Sequence, residues 1–116
     1  MSISKRTRDK LKARDPYCWH CGQDWDLVIH HRKNRQMGGS SLLDHYTNLL
    51  MVCEQYNFQM EANAVAAQEA KEWGHKLESW EKFSEPVFDR CNGIWYELQD
   101  DGTKVESNYG RDERIF

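Results

Sequence analysis

An α+β fold class follows from three features of the sequence. Two apolar runs of strand length, Trp25 to Ile29 and Asn48 to Cys53, flank a loop with Gly38-Gly39-Ser40-Ser41 at its middle. Between Glu54 and Trp73, the residues Phe58, Ala62, Ala66, Ala70 and Trp73 recur at helical spacing and form one apolar stripe. Near the end, Ile94 to Leu98 and Lys104 to Glu106 flank the turn Asp100-Asp101-Gly102-Thr103, the pattern of a hairpin. With 116 residues, the chain has room for one core, which excludes large α/β enzymes. A content of 39% hydrophobic and 30% charged residues, with mean hydropathy -0.93, predicts a thin core that needs a staple such as a metal.

The elements follow in order. Ser4 is placed to cap a helix running to about Ala13, studded with Arg6, Arg8, Lys10 and Lys12 and stopped by Asp15-Pro16, because the residue before proline avoids helical angles. This helix is polar nearly all round, which suits phosphate contact or solubility rather than packing. Cys18-Trp19-His20-Cys21 has the two-residue gap of a metal knuckle, and the following Gly22-Gln23-Asp24 reads as a turn, not as the helix of a redox motif. The first strand delivers His30 and His31 at its end, and the second closes on Cys53. Gly74 stands where a helix C-terminus favours a left-handed residue. Pro86-Val87-Phe88 precedes the hairpin, and the last ten residues look poorly anchored. Trp80, Phe88, Trp95 and Tyr96 read as core aromatics, while His20, His45 and His75 have no partner visible in the sequence.

Charge divides the chain. Up to Met37 there are nine Lys and Arg against four Asp and Glu, a balance of +5, and the remainder carries -8, so the net -3 conceals a basic front suited to a polyanion. A merely solvated basic helix is the alternative. No apolar run approaches the roughly 20 residues of a membrane span, and Met1 to Arg6 lacks the apolar stretch of a secretory signal, so a cytoplasmic setting is expected.

The ordered set His30-His31-Arg32, Arg35-Gln36-Met37-Gly38-Gly39, Asn48-Leu49-Leu50, Cys53 and Asn57 resembles the HNH nucleases, in the form common among small phage-encoded members. The likeness spans Cys18 to about Glu61, with Asn57 in place of the last motif histidine, an HNN variant. It implies a single domain over 1–116: a basic helix in 1–15, a ββα-metal core in 16–74, and a C-terminal extension with a hairpin in 75–116. The implied activity is metal-dependent hydrolysis of DNA phosphodiester bonds with low sequence specificity, leaving 5′-phosphate and 3′-hydroxyl ends. Imidazole suits the general base, because its pKa lies near neutrality. By the resemblance, His31 is that base, and His30 and Asn57 hold one divalent ion, Mg²⁺, Mn²⁺ or Ni²⁺. Asn48 bonds backbone groups across the loop to keep His31 oriented, and Arg35, Arg32 and Lys33 clamp phosphate. Glu61, one turn beyond Asn57, is either a supporting partner of the ligands or a solvated side chain.

Many relatives bind a structural zinc with two CxxC pairs, but the fourth cysteine is Tyr56 here, a poor ligand at neutral pH. Cys18, Cys21 and Cys53 remain, and Cys91 is available as the fourth ligand; in the competing arrangement the zinc is lost and Tyr56 packs in its place. DNA is the expected partner, with phage terminase or other packaging proteins as candidates, no membrane, and a monomer or weak dimer. The alternative function is a catalytically inactive zinc-knuckle protein that binds DNA or assists packaging.

Overall fold

The computed structural model describes residues 3–34 and 41–108. Among them are three α-helices and two small antiparallel sheets, an α+β architecture. Helix α1 (Lys5–Arg14) begins at Ser4, whose hydroxyl accepts the Thr7 N–H at 3.2 Å, and ends at Asp15 before Pro16. Strands β1 (Leu27–His31) and β2 (Leu49–Cys53) pair antiparallel from Leu27↔Cys53 to His31↔Leu49. The first strand therefore starts and ends two residues later than the apolar run suggests and includes both histidines.

β2 is buried along its whole length because alternate residues enter two different cores. Leu50 and Val52 face Trp19, Tyr56, Met60, Ala70, Val87 and Leu98. Leu49 and Met51 face Leu11 of α1, joined by Ile3, Leu27, Ile29 and Tyr46. Although α1 is polar nearly all round and is expected not to pack, it does pack, because Leu11 is fully buried. The C-terminal turn of α1 also covers the outer edge of β2. Arg14, itself buried, forms a two-pronged pair with Asp15 and donates to the carbonyls of Tyr46 and Leu49, while the Asp15 carboxylate accepts the Met51 N–H at 3.2 Å. An edge that could otherwise pair with another chain is thus closed from within.

The single helix expected from Glu54 to Trp73 is two helices, α2 (Glu54–Ala62) and α3 (Ala64–Glu72). Asn63 breaks them apart: it adopts an extended backbone, φ -127° and ψ 120°, and its carboxamide oxygen caps α3 by accepting the N–H groups of Val65 and Ala66. The predicted stripe dissolves with the break. Phe58 is exposed, and the inward positions are Tyr56, Met60 and Ala70. Gly74 has φ +74°, and a Cβ there would strike the Pro86 carbonyl, so only glycine lets the C-terminal segment pass so closely.

Strands β3 (Val87–Asp89), β4 (Ile94–Leu98) and β5 (Lys104–Glu106) form the second sheet, in the order β3-β4-β5. Phe88 and Trp95 pack across it with ring centres 5.0 Å apart. Trp80 is 77% exposed, so it is not a core residue. Of the last ten residues, 107 and 108 are described, and Ser107 is anchored through its N–H to the Trp95 carbonyl at 2.8 Å. No helix among the described residues is long and apolar enough to cross a membrane.

Candidate functional site

The exit of β1 carries the two histidines on opposite faces of the hairpin. His31 follows Leu27 and Ile29 on the face shared with α1, whereas His30 follows Val28 toward α2 and the C-terminal segment. His31 is partly exposed, and its Nε2 lies 2.8 Å from Asp44 Oδ1. With Nε2–H donating to that carboxylate, the neutral ring keeps its lone pair on Nδ1. Asp44 sits in a one-turn 3₁₀ segment, Ser41–Asp44, where a carboxylate in a long loop gives no local sign of its partner.

Asn48 is completely buried and holds that loop from inside. Its Oδ1 accepts the Lys33 N–H at 2.7 Å, and its Nδ2 donates to the carbonyls of Leu43 and Lys33 at 2.7 and 3.3 Å. One carboxamide thereby ties the residue two beyond His31 to the residue before Asp44.

His30 is buried beneath the chain that follows α3. Its Nε2 lies 2.8 Å from the His75 carbonyl, which can only accept, so Nε2 carries the proton and Nδ1 the lone pair. The Asn57 side chain, on α2, stands beside the same imidazole, close enough to favour its charged form. Burial lowers the His30 pKa to about 4, keeping the ring neutral. A neutral imidazole whose second nitrogen is pinned to a carbonyl, next to an amide oxygen, is a donor set that fits a divalent ion. Glu61 is exposed on the next turn.

Arg32 departs from its expected role as a phosphate clamp. It is 1% exposed, and its guanidinium donates to the carbonyls of Gly74, Thr47, Phe83 and Glu85 at 2.7–3.0 Å. No edge of the fork is left for phosphate. Burial, with Arg14 nearby, lowers its pKa to about 9. Lys33 is also drawn toward the C-terminal segment, with Nζ 3.3 Å from the Ser79 carbonyl and 4.7 Å from the Phe83 ring centre. Arg35 lies outside the described residues. Arg6, Arg8, Lys10 and Lys12 are exposed on α1.

A second cluster sits at the opposite end of the hairpin. The sulfurs of Cys18, Cys21 and Cys53 lie within 4.8 Å of one another, and this group could hold a metal such as zinc. The Cys21 and Cys53 sulfurs are 3.9 Å apart, near the roughly 3.8 Å edge of a tetrahedron with metal–sulfur bonds of about 2.3 Å. Backbone N–H groups of His20 and Tyr56 already point at the Cys18 and Cys53 sulfurs, both at 3.3 Å, as charged thiolates require. Burial, reinforced by the adjacent sulfurs, pushes the Cys53 thiol up to about 11. For Cys21, burial is outweighed by hydrogen bonds from the Gln23 backbone and from the Cys18 and Cys53 side chains, and its pKa falls.

Cys91 is exposed and stands outside this group, with its Sγ against Gly22, where an added Cβ would approach it to 2.5 Å. The turn that carries it is docked on the knuckle, since Arg90 donates from its backbone to the Trp19 carbonyl and from its side chain to the His20 carbonyl. Tyr56 does not turn toward the sulfurs. Its ring stacks on His20 at 4.0 Å, and its hydroxyl lies 2.6 Å from Nδ1 of His75. His75, for which the sequence offered no partner, is completely buried between Tyr56 and the Phe88 carbonyl, and burial lowers its pKa to about 3. No family model, curated protein or solved structure matches the chain.

Proposed function

We propose that the protein is a metal-dependent DNA endonuclease of the HNH type. The observation that carries this reading is the His31–Asp44 pair, partly open to solvent on the hairpin face that also packs the basic helix α1. In the proposed mechanism Nδ1 of His31 takes a proton from water as its oxygen attacks phosphorus, and Asp44 stabilises the imidazolium that forms. Asn48 keeps the loop between them in register, as a positioning residue. His30 through Nδ1 and Asn57 through its amide oxygen would hold a divalent ion, which when bound supplies charge neutralisation at the phosphate and the departing 3′ oxygen. Arg6, Arg8, Lys10 and Lys12 contact flanking phosphates without reading bases, which gives salt-dependent binding and low sequence specificity.

The deciding experiment is nicking of supercoiled plasmid across a series of divalent ions and with chelator, comparing the parent with His31→Ala. Chelator-sensitive nicking that falls at least about 100-fold in the variant supports the reading, in line with loss of a general base. Equal nicking by both proteins removes His31 from the mechanism.

The thiol cluster supports a structural zinc held by Cys18, Cys21 and Cys53, with Cys91 turning in from its docked turn as the fourth ligand. Protein purified without added zinc should carry about one zinc per chain, and Cys91→Ser should release it more readily to chelator. A stably folded, metal-free parent sinks the zinc assignment. The near-complete burial of His30 favours one rival, an accessory DNA-binding or packaging protein without catalysis. That version predicts DNA binding with no nicking under any ion, in parent and His31→Ala alike.

A further inference from the structure

Tyr56 and His75 have no part in the mechanism above, yet both are buried and bonded to each other. The Phe88 carbonyl can only accept, so Nε2 of His75 is protonated, and its Nδ1 must then accept the Tyr56 hydroxyl. Both ring nitrogens are thereby fixed, one from α2 and one from β3. The carbonyl of that same residue is the group that receives Nε2–H of His30 at 2.8 Å. Tyr56 also immediately precedes Asn57, whose side chain stands beside the His30 ring.

We infer that Tyr56 and His75 are a positioning pair for the ligand imidazole of His30: the tyrosine hydroxyl locks His75, and the His75 carbonyl fixes the His30 tautomer that leaves Nδ1 free. This rests on the reading of His30 and Asn57 as metal ligands. Where the resemblance leads one to expect a fourth cysteine, the residue at 56 instead links α2 to the segment that follows α3. The C-terminal extension then belongs to the metal site, because it supplies the carbonyl that orients the ligand. The aromatic stack of Tyr56 on His20 holds the phenol in line.

The test compares the full chain with Tyr56→Phe, which keeps the ring and the stack and removes only the hydroxyl. Long-range ¹⁵N spectra report the tautomer of His30, and titration with Mn²⁺ alone, a hard ion that avoids the thiols, reports the site. In the parent, His30 should be a single Nε2–H tautomer. In Tyr56→Phe it should become a mixture, with the Mn²⁺ Kd raised about tenfold, as for loss of other groups that orient a metal-binding histidine. A folded Tyr56→Phe with unchanged tautomer and unchanged Kd overturns the pairing, and so does an Nδ1–H tautomer in the parent, a result that needs no variant. If the parent binds no Mn²⁺, the reading of His30 and Asn57 as ligands fails, and the tautomer comparison alone decides the positioning role.

Discussion

Arg32 and His75 show how far a side chain's role depends on chain that arrives much later. Arg32 stands between His31 and Lys33 in a basic stretch, which made phosphate contact the natural reading, yet three of its four carbonyl partners come from residues 74, 83 and 85. Nothing within ten residues of either side chain encodes those partners. The bonding of Asn48 to backbone groups across the long loop was legible because resemblance to a known motif named that task. The fork of Arg32 is what the site needs: four acceptors in different directions exceed the reach of a single ammonium. Arg32→Lys and Arg32→Met should each cost roughly 3 kcal/mol, the penalty of stranding buried carbonyls. Urea denaturation measures this. Retention of parental stability by Arg32→Lys would show that a point charge suffices there.

At the scale of elements, short-range signals are legible in the sequence and competing ones mask each other. Ser4 and Asp15-Pro16 bound α1, and Asp100 to Thr103 turn the hairpin, because each is a short-range preference that tertiary packing does not override. The break between α2 and α3 was also written locally, in Asn63 followed by Ala64-Val65-Ala66, but alanine-rich spacing on both sides masked it as one stripe. A capping carboxamide outcompeted helix continuation because it satisfies two N–H groups and lets Met60 and Ala70 reach the same core. Asn63→Ala is expected to lower stability by about 1 kcal/mol, while Asn63→Asp stays within a few tenths. Thermal unfolding distinguishes them, and an unchanged midpoint for the alanine variant would mean that the cap contributes nothing.

Across the whole molecule, the charge asymmetry was visible in composition, whereas the sharing of β2 between two cores required the pairing register. Burying His30 and His75 as neutral rings also gives the domain a pH dependence. Their folded pKa values, about 4 and about 3, lie below the ordinary 6.5, so the unfolded chain takes up protons first as pH falls. Their stabilising effect is fully present above 6.5 and is lost as the pH drops toward about 4 for His30 and about 3 for His75, by up to roughly 1.4 kcal/mol per pH unit for each ring. Urea unfolding of the metal-free protein near pH 7 and near pH 5 should reveal the slope, and equal stability at both would contradict the neutral burial of these rings.

The carbonyl cage around Arg32 also sets a schedule for synthesis. A nascent chain that has emerged only to Gly74 already contains α1, the β1–β2 hairpin, α2 and α3, yet Phe83 and Glu85 are still to come. Until they emerge, the guanidinium at the exit of β1 has Thr47 and, at most, Gly74 to satisfy it. The hairpin can form early, but the end of it that bears both histidines is completed only when the chain has passed residue 85, which makes the exit of β1 a late step in folding.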